Sequence, residues 1–352
     1  MCELLGLCFN REIRPNISFR AFRMRADGNP DGWGIAFYPD PPAACVIKEE
    51  LSALRSELAD FIAYYPKLRS RIFICHVRWG TTGSVCYRNA HPFVREVFGR
   101  DYVFAHNGVI RGFGRLKLGR FRPIGNTDSE HVFCYILGRI YDRGIQTWGR
   151  DEFEWLHEML LRINRLGSLN CMMSDGEYLF CYTDADGYNT LCYVRREPPY
   201  PRIKLRDLDW EIDLNLTKKE GQIGYIIATY PLTDEQWKTF SPGELVVFRR
   251  GEIIYRSHRE EDLGLSQIDI DILRIIRRAP RRVKLRKIIM RLGNLYGETQ
   301  IKQHIKYLLC HQYIRQDGRD GVRWSHPEAT FYTNLKRRAY IDRLLAENSD
   351  GR

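Results

Sequence analysis

The sequence predicts an α+β protein of two parts: a large domain of mixed strands and helices, then a smaller, basic, mostly helical domain at the C-terminal end. Three observations predict it. Short β-rich apolar runs recur through residues 1–260, interrupted by stretches with helical spacing. Beyond about residue 264 the pattern turns almost wholly helical. Charge divides near the same point: residues 265–340 hold 17 Lys and Arg against 6 Asp and Glu, an excess of 11 that equals the net charge of the whole chain, so the remainder is close to neutral. At 352 residues and 44% hydrophobic, the chain can fill two cores.

The runs expected to form strands are Leu4–Phe9, Trp33–Tyr38, Ile72–Val77, Tyr102–Ala105, Leu169–Met173, Tyr178–Tyr182, Leu191–Val194, Ile223–Ala228, Leu245–Phe248 and Ile253–Tyr255. Asp175-Gly176 between two of them reads as a hairpin turn. Three helices are expected: Ala53–Tyr64, Thr127–Arg143, which opens on the capping box Thr127-x-x-Glu130, and Glu152–Leu166, with Phe153, Leu156, Leu160 and Ile163 on one face. Arg195–Lys219 is charged and proline-bearing and reads as a loop with an irregular strand. The boundaries follow: residues 1–262, residues 265–328, and a C-terminal helix and tail over 329–352.

In the second part, Ile268, Ile272, Ile275 and Ile276 form one apolar stripe. Leu285, Ile288, Ile289 and Leu292 form a second, and Ile301, Ile305, Leu308 and Leu309 a third. A hairpin is expected over Tyr313–Trp324, across Asp317-Gly318 and Asp320-Gly321. Three short helices followed by a two-stranded ribbon is a winged-helix pattern. Gly297–Leu309 would be its recognition helix, with Lys302, Gln303 and Lys306 outward and Arg315, Arg319 and Arg323 on the wing. Such cations suit phosphate contacts, and winged helices also bind proteins, so either a nucleic acid or a protein partner fits residues 265–340. Thr330–Leu345 reads as a terminal helix.

No uncharged apolar run reaches the roughly 18 residues a membrane span needs, and the first ten residues lack the basic flank and cleavage site of a signal peptide. Ten cysteines are scattered, six of them (Cys8, Cys45, Cys75, Cys134, Cys171 and Cys181) among apolar neighbours, with no CxxC pair. They read as free thiols in a reducing cytoplasm rather than zinc ligands.

Four motifs can carry chemistry. Met1-Cys2 would, on loss of Met1, join a thiol and a free α-amine on one residue. That amine titrates at about 7.7–8.0, so it can serve as base for its own thiol; the plain alternative is an ordinary cysteine. Arg78, at the junction of a strand and the loop Trp79-Gly80-Thr81-Thr82-Gly83, can grip a carboxylate in bidentate fashion or simply lie on the surface. Asn107-Gly108 offers a side-chain NH2 and a closely approachable backbone N–H, an oxyanion hole, or else a type I′ hairpin turn. Asp128, in the first turn of a capped helix, can face a substrate ammonium group or only complement the helix dipole. Together they supply an attacking thiol, a base, two oxyanion donors and grips for both ends of an α-amino acid, which is what hydrolysis of the glutamine side-chain amide requires.

At these residues the chain resembles the class II glutamine amidotransferases, whose glutaminase domain is an N-terminal nucleophile (Ntn) hydrolase, and most of all the YafJ-type members. The resemblance is carried by Met1-Cys2-Glu3-Leu4-Leu5-Gly6, Asp31-Gly32-Trp33-Gly34-Ile35, Asn89-Ala90-His91-Pro92-Phe93, Ala105-His106-Asn107-Gly108, Thr127-Asp128-Ser129-Glu130, Met173-Ser174-Asp175-Gly176 and Pro242-Gly243-Glu244, over roughly residues 1–260. It implies a four-layer αββα sandwich of two antiparallel sheets. It further implies Cys2 as nucleophile, forming a γ-glutamyl thioester, and Asn107 with Gly108 as oxyanion hole. Arg78, supported by Thr81, would hold the substrate's α-carboxylate, and Asp128 its α-ammonium. Trp79 and His91 match pocket-wall positions. No metal or cofactor is implied. The stretch Arg78–Gly83 looks more like the glucosamine-phosphate synthase type than the YafJ type. The roughly 90 residues after the resemblance are too few for a synthase domain. Three functions stay open: a hydrolase of glutamine or a γ-glutamyl compound, a glutaminase subunit feeding ammonia to a separate synthase, and a glutamine-sensing nucleic-acid-binding regulator.

Overall fold

The computed structural model describes residues 2–216, 220–257, 265–279, 282–310, 313–317, 325–334 and 338–347. The chain divides into two compact units, Met1–His258 and Arg259–Arg352.

In chain order the first unit contains β1 (Glu3–Ile13), α1 (Asn16–Arg23), β2 (Trp33–Asp40), β3 (Ala43–Glu49), α2 (Glu57–Tyr64), β4 (Ser70–Val77), β5 (Phe93–Val97), β6 (Arg100–Ile110), α3 (Asp128–Arg143) and α4 (Arg150–Asn164). There follow β7 (Gly167–Ser174), β8 (Tyr178–Tyr182), β9 (Cys192–Arg196), β10 (Arg202–Lys204), β11 (Glu211–Asp213), β12 (Gly224–Ala228), β13 (Lys238–Thr239), β14 (Leu245–Arg249) and β15 (Glu252–Arg256). One sheet has the order β13-β9-β12-β1-β4-β2-β3 and a second β15-β14-β8-β7-β6-β5, while β10 and β11 form a separate ribbon.

Side-chain alternation along the strands sorts the core into three apolar layers. Leu5, Leu7 and Phe9 of β1 point outward and pack with Phe19 and Phe22 of α1 and Ala59 and Ile62 of α2. Leu4 and Cys8 of the same strand point the other way, against Val103 and Ala105 of β6 and Met172 of β7. On the far side, Phe104 and Cys171 meet Phe133 and Ile136 of α3 and Leu156 and Leu160 of α4. The unit is therefore layered helix, sheet, sheet, helix, and inner strands buried on both faces need the nearly unbroken apolar runs that the sequence shows. Asn107-Gly108 lies inside β6, opposite Asn170 and Leu169 of β7, so it is not a hairpin turn.

Helix α2 begins at Glu57, not Ala53, because Ser56 caps it, its hydroxyl accepting from the Ala59 N–H at 2.8 Å. In α3, Thr127 caps the Glu130 N–H at 3.1 Å, but the Glu130 carboxylate turns away to the N–H groups of Ile124 and Gly125 instead of closing a capping box. Helix α1 and strands β3 and β5 have no counterpart among the sequence expectations. Both strands are sheet edges, and an edge demands less apolar patterning than an inner strand.

The second unit contains α5 (Gln267–Arg278), β16 (Val283–Lys284), α6 (Leu285–Leu292), α7 (Glu298–Cys310), β17 (Ile314–Gln316), β18 (Thr330–Thr333) and α8 (Arg338–Glu347), with sheet order β16-β18-β17. Its core joins the three expected stripes through Ile272, Leu285, Ile288, Ile301, Ile305 and Phe331. Thr330–Leu345 is not one helix: Thr330–Thr333, two threonines around an aromatic pair, is a strand against β17, and the helix starts only at Arg338. Lys306 does not face outward but is buried, at 6% exposure, and Lys302 pairs with Glu298 at 2.6 Å. Gln303 is half-buried and Arg315 exposed; Arg319 and Arg323 lie outside the described residues.

Gly34 shows how tightly the first unit is drawn together. A Cβ there would stand 2.2 Å from the His91 carbonyl oxygen and 2.7 Å from the Lys48 Cβ. Gly34→Ala is expected to cost about 2–3 kcal/mol, seen as an earlier urea midpoint for the first unit.

Candidate active site

Cys2 immediately precedes β1, whose first residue pairs with Val77 at the end of β4. It therefore lies beside the junction where β4 becomes the 78–88 loop. The Trp79 N–H donates to the Cys2 Sγ at 3.1 Å, and the thiol lies 3.3 Å from the Trp79 carbonyl as donor. One residue into the strand, the Leu4 N–H donates to the buried Thr229 Oγ1 at 2.9 Å and the Leu4 carbonyl accepts from the Thr229 N–H at 3.1 Å. Burial raises the Cys2 pKa, opposed by the Trp79 backbone and by nearby positive charge, including that of Arg78. A thiol so held stays protonated at neutral pH and needs a base.

Arg78 is buried, and its guanidinium is committed to the loop that follows it. Nη2 donates to the Thr82 and Gly83 carbonyls at 2.9 and 3.4 Å, and Nη1 to the Asp31 carbonyl at 3.4 Å. Asp31 closes the same turn, accepting from the Gly80 N–H at 2.8 Å. The Trp79 side chain is 48% exposed, so it is the backbone of Trp79 that meets the Cys2 thiol. Thr81 is exposed on the loop, away from any hydrogen bond among the described residues.

Asn107 is brought to the same interlayer space as Cys2 by strand parity. Cys2 lies two residues before Leu4, and Asn107 two after Ala105, and both of those residues face the space between the sheets. Asn107 is buried, and its Nδ2 has no hydrogen-bond partner among the described residues. Gly108 passes so close to β7 that a Cβ would stand 2.1 Å from the Ser168 carbonyl oxygen, so no other residue fits. Asn170, opposite Asn107, donates to the carbonyls of Asn107 and Tyr188 at 3.3 and 2.6 Å and accepts from Thr183 and Asp184. Burial, and then the charge of Cys2 close by, raise the Tyr188 pKa. Asn170 thus ties the Asn107 backbone to that of Tyr188.

Asp128 is buried at the start of α3, its Oδ2 accepting from the Ile110 N–H at 2.7 Å where β6 ends. Next to it, Glu130 is buried and accepts from Arg95 at 2.6 Å as well as from the backbone of Ile124 and Gly125. Asn89 ties this turn to the 78–88 loop, donating to the Asn126 Oδ1 at 2.7 Å and to the Ser84 carbonyl at 2.9 Å, and accepting from the Asn126 N–H.

Behind these groups lie three buried histidines. His76 Nε2 is 3.2 Å from the His106 carbonyl, and His106 Nδ1 is 2.9 Å from the Ser129 Oγ. His91 stacks on His76 with ring centroids 4.2 Å apart, and neither of its ring nitrogens has a hydrogen-bond partner among the described residues. Burial lowers all three pKa values, that of His76 to about 3. His91 is thus a neutral wall behind the site. Asp31, Asn89 and Glu130 fall within the sequence motifs but carry no site role in the sequence reading, and Asn126, Asn170 and Tyr188 carry none either. For Asn170 the available signal was a lone amide within an otherwise apolar strand.

A thiol at a strand's start, a buried free amide donor facing the same interlayer space and a carboxylate at a helix start, on a helix–sheet–sheet–helix frame, define the class. The chain belongs to the class II glutamine amidotransferases, the family that matches residues 1–267. Among its relatives, an uncharacterized protein of Methanocaldococcus jannaschii is 45% identical over 350 residues, 98% of this chain and 96% of that one. YafJ of Escherichia coli K12 is 34% identical over 258 residues, 72% of this chain and 99% of its own. A crystal structure of a predicted glutamine amidotransferase from Pseudomonas aeruginosa matches with a TM-score of 0.53 at 28% identity, covering 72% of this chain and all of that one. Among the described residues no helix is long and apolar enough to cross a membrane.

The histidines set a pH dependence. Each is neutral when folded, whereas in the unfolded chain a histidine binds a proton near 6.5. Their stabilising contribution is therefore complete above that pH and is lost as pH falls toward the folded values, at up to about 1.4 kcal/mol per pH unit for each. Urea unfolding at pH 7.5 and 5.0 is expected to show this fall, and His91→Phe, which removes no hydrogen bond seen here, is expected to make it shallower.

Proposed function

We propose that the first unit hydrolyses the γ-amide of glutamine or of a γ-glutamyl compound through a thioester on Cys2, once Met1 has been removed. The observation that carries this reading is the buried, unpartnered Asn107 Nδ2 facing the same interlayer space as the Cys2 thiol. A buried donor without an acceptor is costly unless an acceptor arrives, and the oxygen of a tetrahedral intermediate is such an acceptor. In the reaction the α-amine of Cys2 takes the thiol proton and the sulfur attacks the amide carbon. Asn107 and Gly108 hold the oxyanion while the amine returns the proton to the departing nitrogen. Ammonia, or the amine of a conjugate, leaves, and water then hydrolyses the thioester to release the γ-carboxylate. Arg78 would take the substrate's α-carboxylate by exchanging some of its loop carbonyl bonds for the ligand, and Asp128 its α-ammonium. Thr81, Trp79 and His91 would complete the walls.

The test is glutamate release from glutamine and from a panel of γ-glutamyl amides and peptides, with loss of Met1 established by mass spectrometry. Cys2→Ala is expected to abolish turnover and leave unfolding unchanged. Asn107→Ala is expected to lower kcat by about 10²–10³. Turnover with Cys2→Ala would sink the mechanism.

For the second unit we infer nucleic-acid binding by a winged helix. The succession helix, strand, helix, helix, strand, strand supports it. With Lys302 ion-paired and Lys306 buried, the cations best suited to phosphates are Lys287 and Arg291, both exposed on α6 beside Met290, itself 74% exposed. Affinity for duplex DNA is expected to fall steeply between 50 and 200 mM salt. Lys287→Ala with Arg291→Ala should flatten that slope, and a slope left unchanged would remove these residues from the interface.

A further inference from the structure

A cavity of about 500 Å³ lies at the end of the sheet sandwich opposite to Cys2. That volume is within the range of small-molecule sites. Hairpin turns of both sheets converge on it: Pro41-Pro42 between β2 and β3, Phe98-Gly99 between β5 and β6, Gly176 between β7 and β8, and Arg250 between β14 and β15. Arg71, in β4, lines it too. Strand β4 then runs from this cavity to Arg78, and β6 from it to Asn107, roughly 20 Å at 3.3 Å per residue.

Two features set the cavity apart from an ordinary cluster of turns. The first is charge. Arg100 lies 3.9 and 3.8 Å from the carboxylates of Asp175 and Glu177, and Glu177 also holds Arg249. Arg71 and Arg250 have no ion pair among the described residues, although both are exposed and line the same space. The second is backbone. Phe98 and Arg250 occupy φ of 53° and 49°, each followed by a glycine that is also at positive φ. These are two-residue hairpins with both central residues left-handed, the type I′ form in which asparagine is favoured at the first position. Phenylalanine and arginine are strained there, and strain of this kind gathers where a side chain is needed for something other than the turn.

We propose that this cavity binds a phosphate-bearing small molecule through Arg71 and Arg250. Two free guanidinium groups match the charge of a phosphate monoester, close to two at neutral pH, and each can present paired N–H donors to its oxygens. Pro41, Pro42 and Phe98 supply an apolar side for the rest of the ligand.

Calorimetric titration of the full-length Cys2→Ala protein, which removes turnover from the readout, tests this with inorganic phosphate, a hexose phosphate, adenosine mono- and triphosphate, and citrate. At least one phosphate compound is expected to bind, more tightly than citrate, with affinity at least tenfold lower in Arg71→Ala and in Arg250→Asn. Arg250→Asn should at the same time raise the Tm, because asparagine accepts that backbone conformation; a residue serving only the turn would not couple gained stability to lost binding. The proposal is overturned if no phosphate compound binds, if citrate binds as well, or if binding survives both substitutions but disappears in Lys287→Ala with Arg291→Ala.

Discussion

The site depends on the double pairing of β1. This strand is bonded to β4 along one edge and β12 along the other, so its start has no freedom to swing. The Leu4 amide and carbonyl are both tied to Thr229 of the segment after β12, and Cys2, two residues earlier, inherits that fixity at the chain's very beginning. Chain ends usually fray; pairing of the adjacent strand on both edges removes that freedom here. The same strand turns its even positions toward the second sheet, which brings Cys2 to the layer that also receives Asn107.

Around that anchor the first unit buries many polar groups. Glu130, Asn89, Asn170 and Asp184 each satisfy several backbone or side-chain partners, and between them they pin the 78–88 loop, the turn before α3 and the end of β7. Buried polar networks of this kind fix one arrangement when fully satisfied. Asn107 Nδ2 and the His91 ring stand outside that satisfaction. The Asn107 amide faces the layer that Cys2 reaches, while His91 is backed by His76 and Phe93.

Much of this was legible in the sequence. Inner strands announce themselves because burial on both faces demands apolar residues at every position, as in Leu4–Phe9 and Tyr178–Tyr182. The candidate residues stood out for local reasons: Cys2 for its place after Met1, Arg78 and Asn107 for the glycines beside them, and Asp128 for the helix start it occupies. What escaped was decided by neighbours distant in sequence. Edge strands β3 and β5 bury too little to carry a pattern. Ser56, not the apolar run before it, sets the start of α2. Glu130 reads as the second half of a capping box, yet Arg95 and two loop amides compete for it and win. On α7, the helical spacing that puts Ile301, Ile305 and Leu308 in the core also carries Lys306 to the buried side, which a list of basic residues does not reveal.

Cysteine chemistry within the first unit is unevenly distributed. Burial raises the pKa of Cys8, Cys75, Cys134, Cys171 and Cys181, whereas half-buried Cys86, on the 78–88 loop, has its pKa lowered, first by its contact with Ser84 and further by the Asn89 backbone, Arg88 and Arg78. Thiolate character and access govern alkylation. A fluorescent maleimide applied at mildly acidic pH would therefore mark Cys86 ahead of these five, attaching a dye to the segment whose carbonyls Arg78 holds. The fold carries, ready-made, an attachment point for a reporter on that loop.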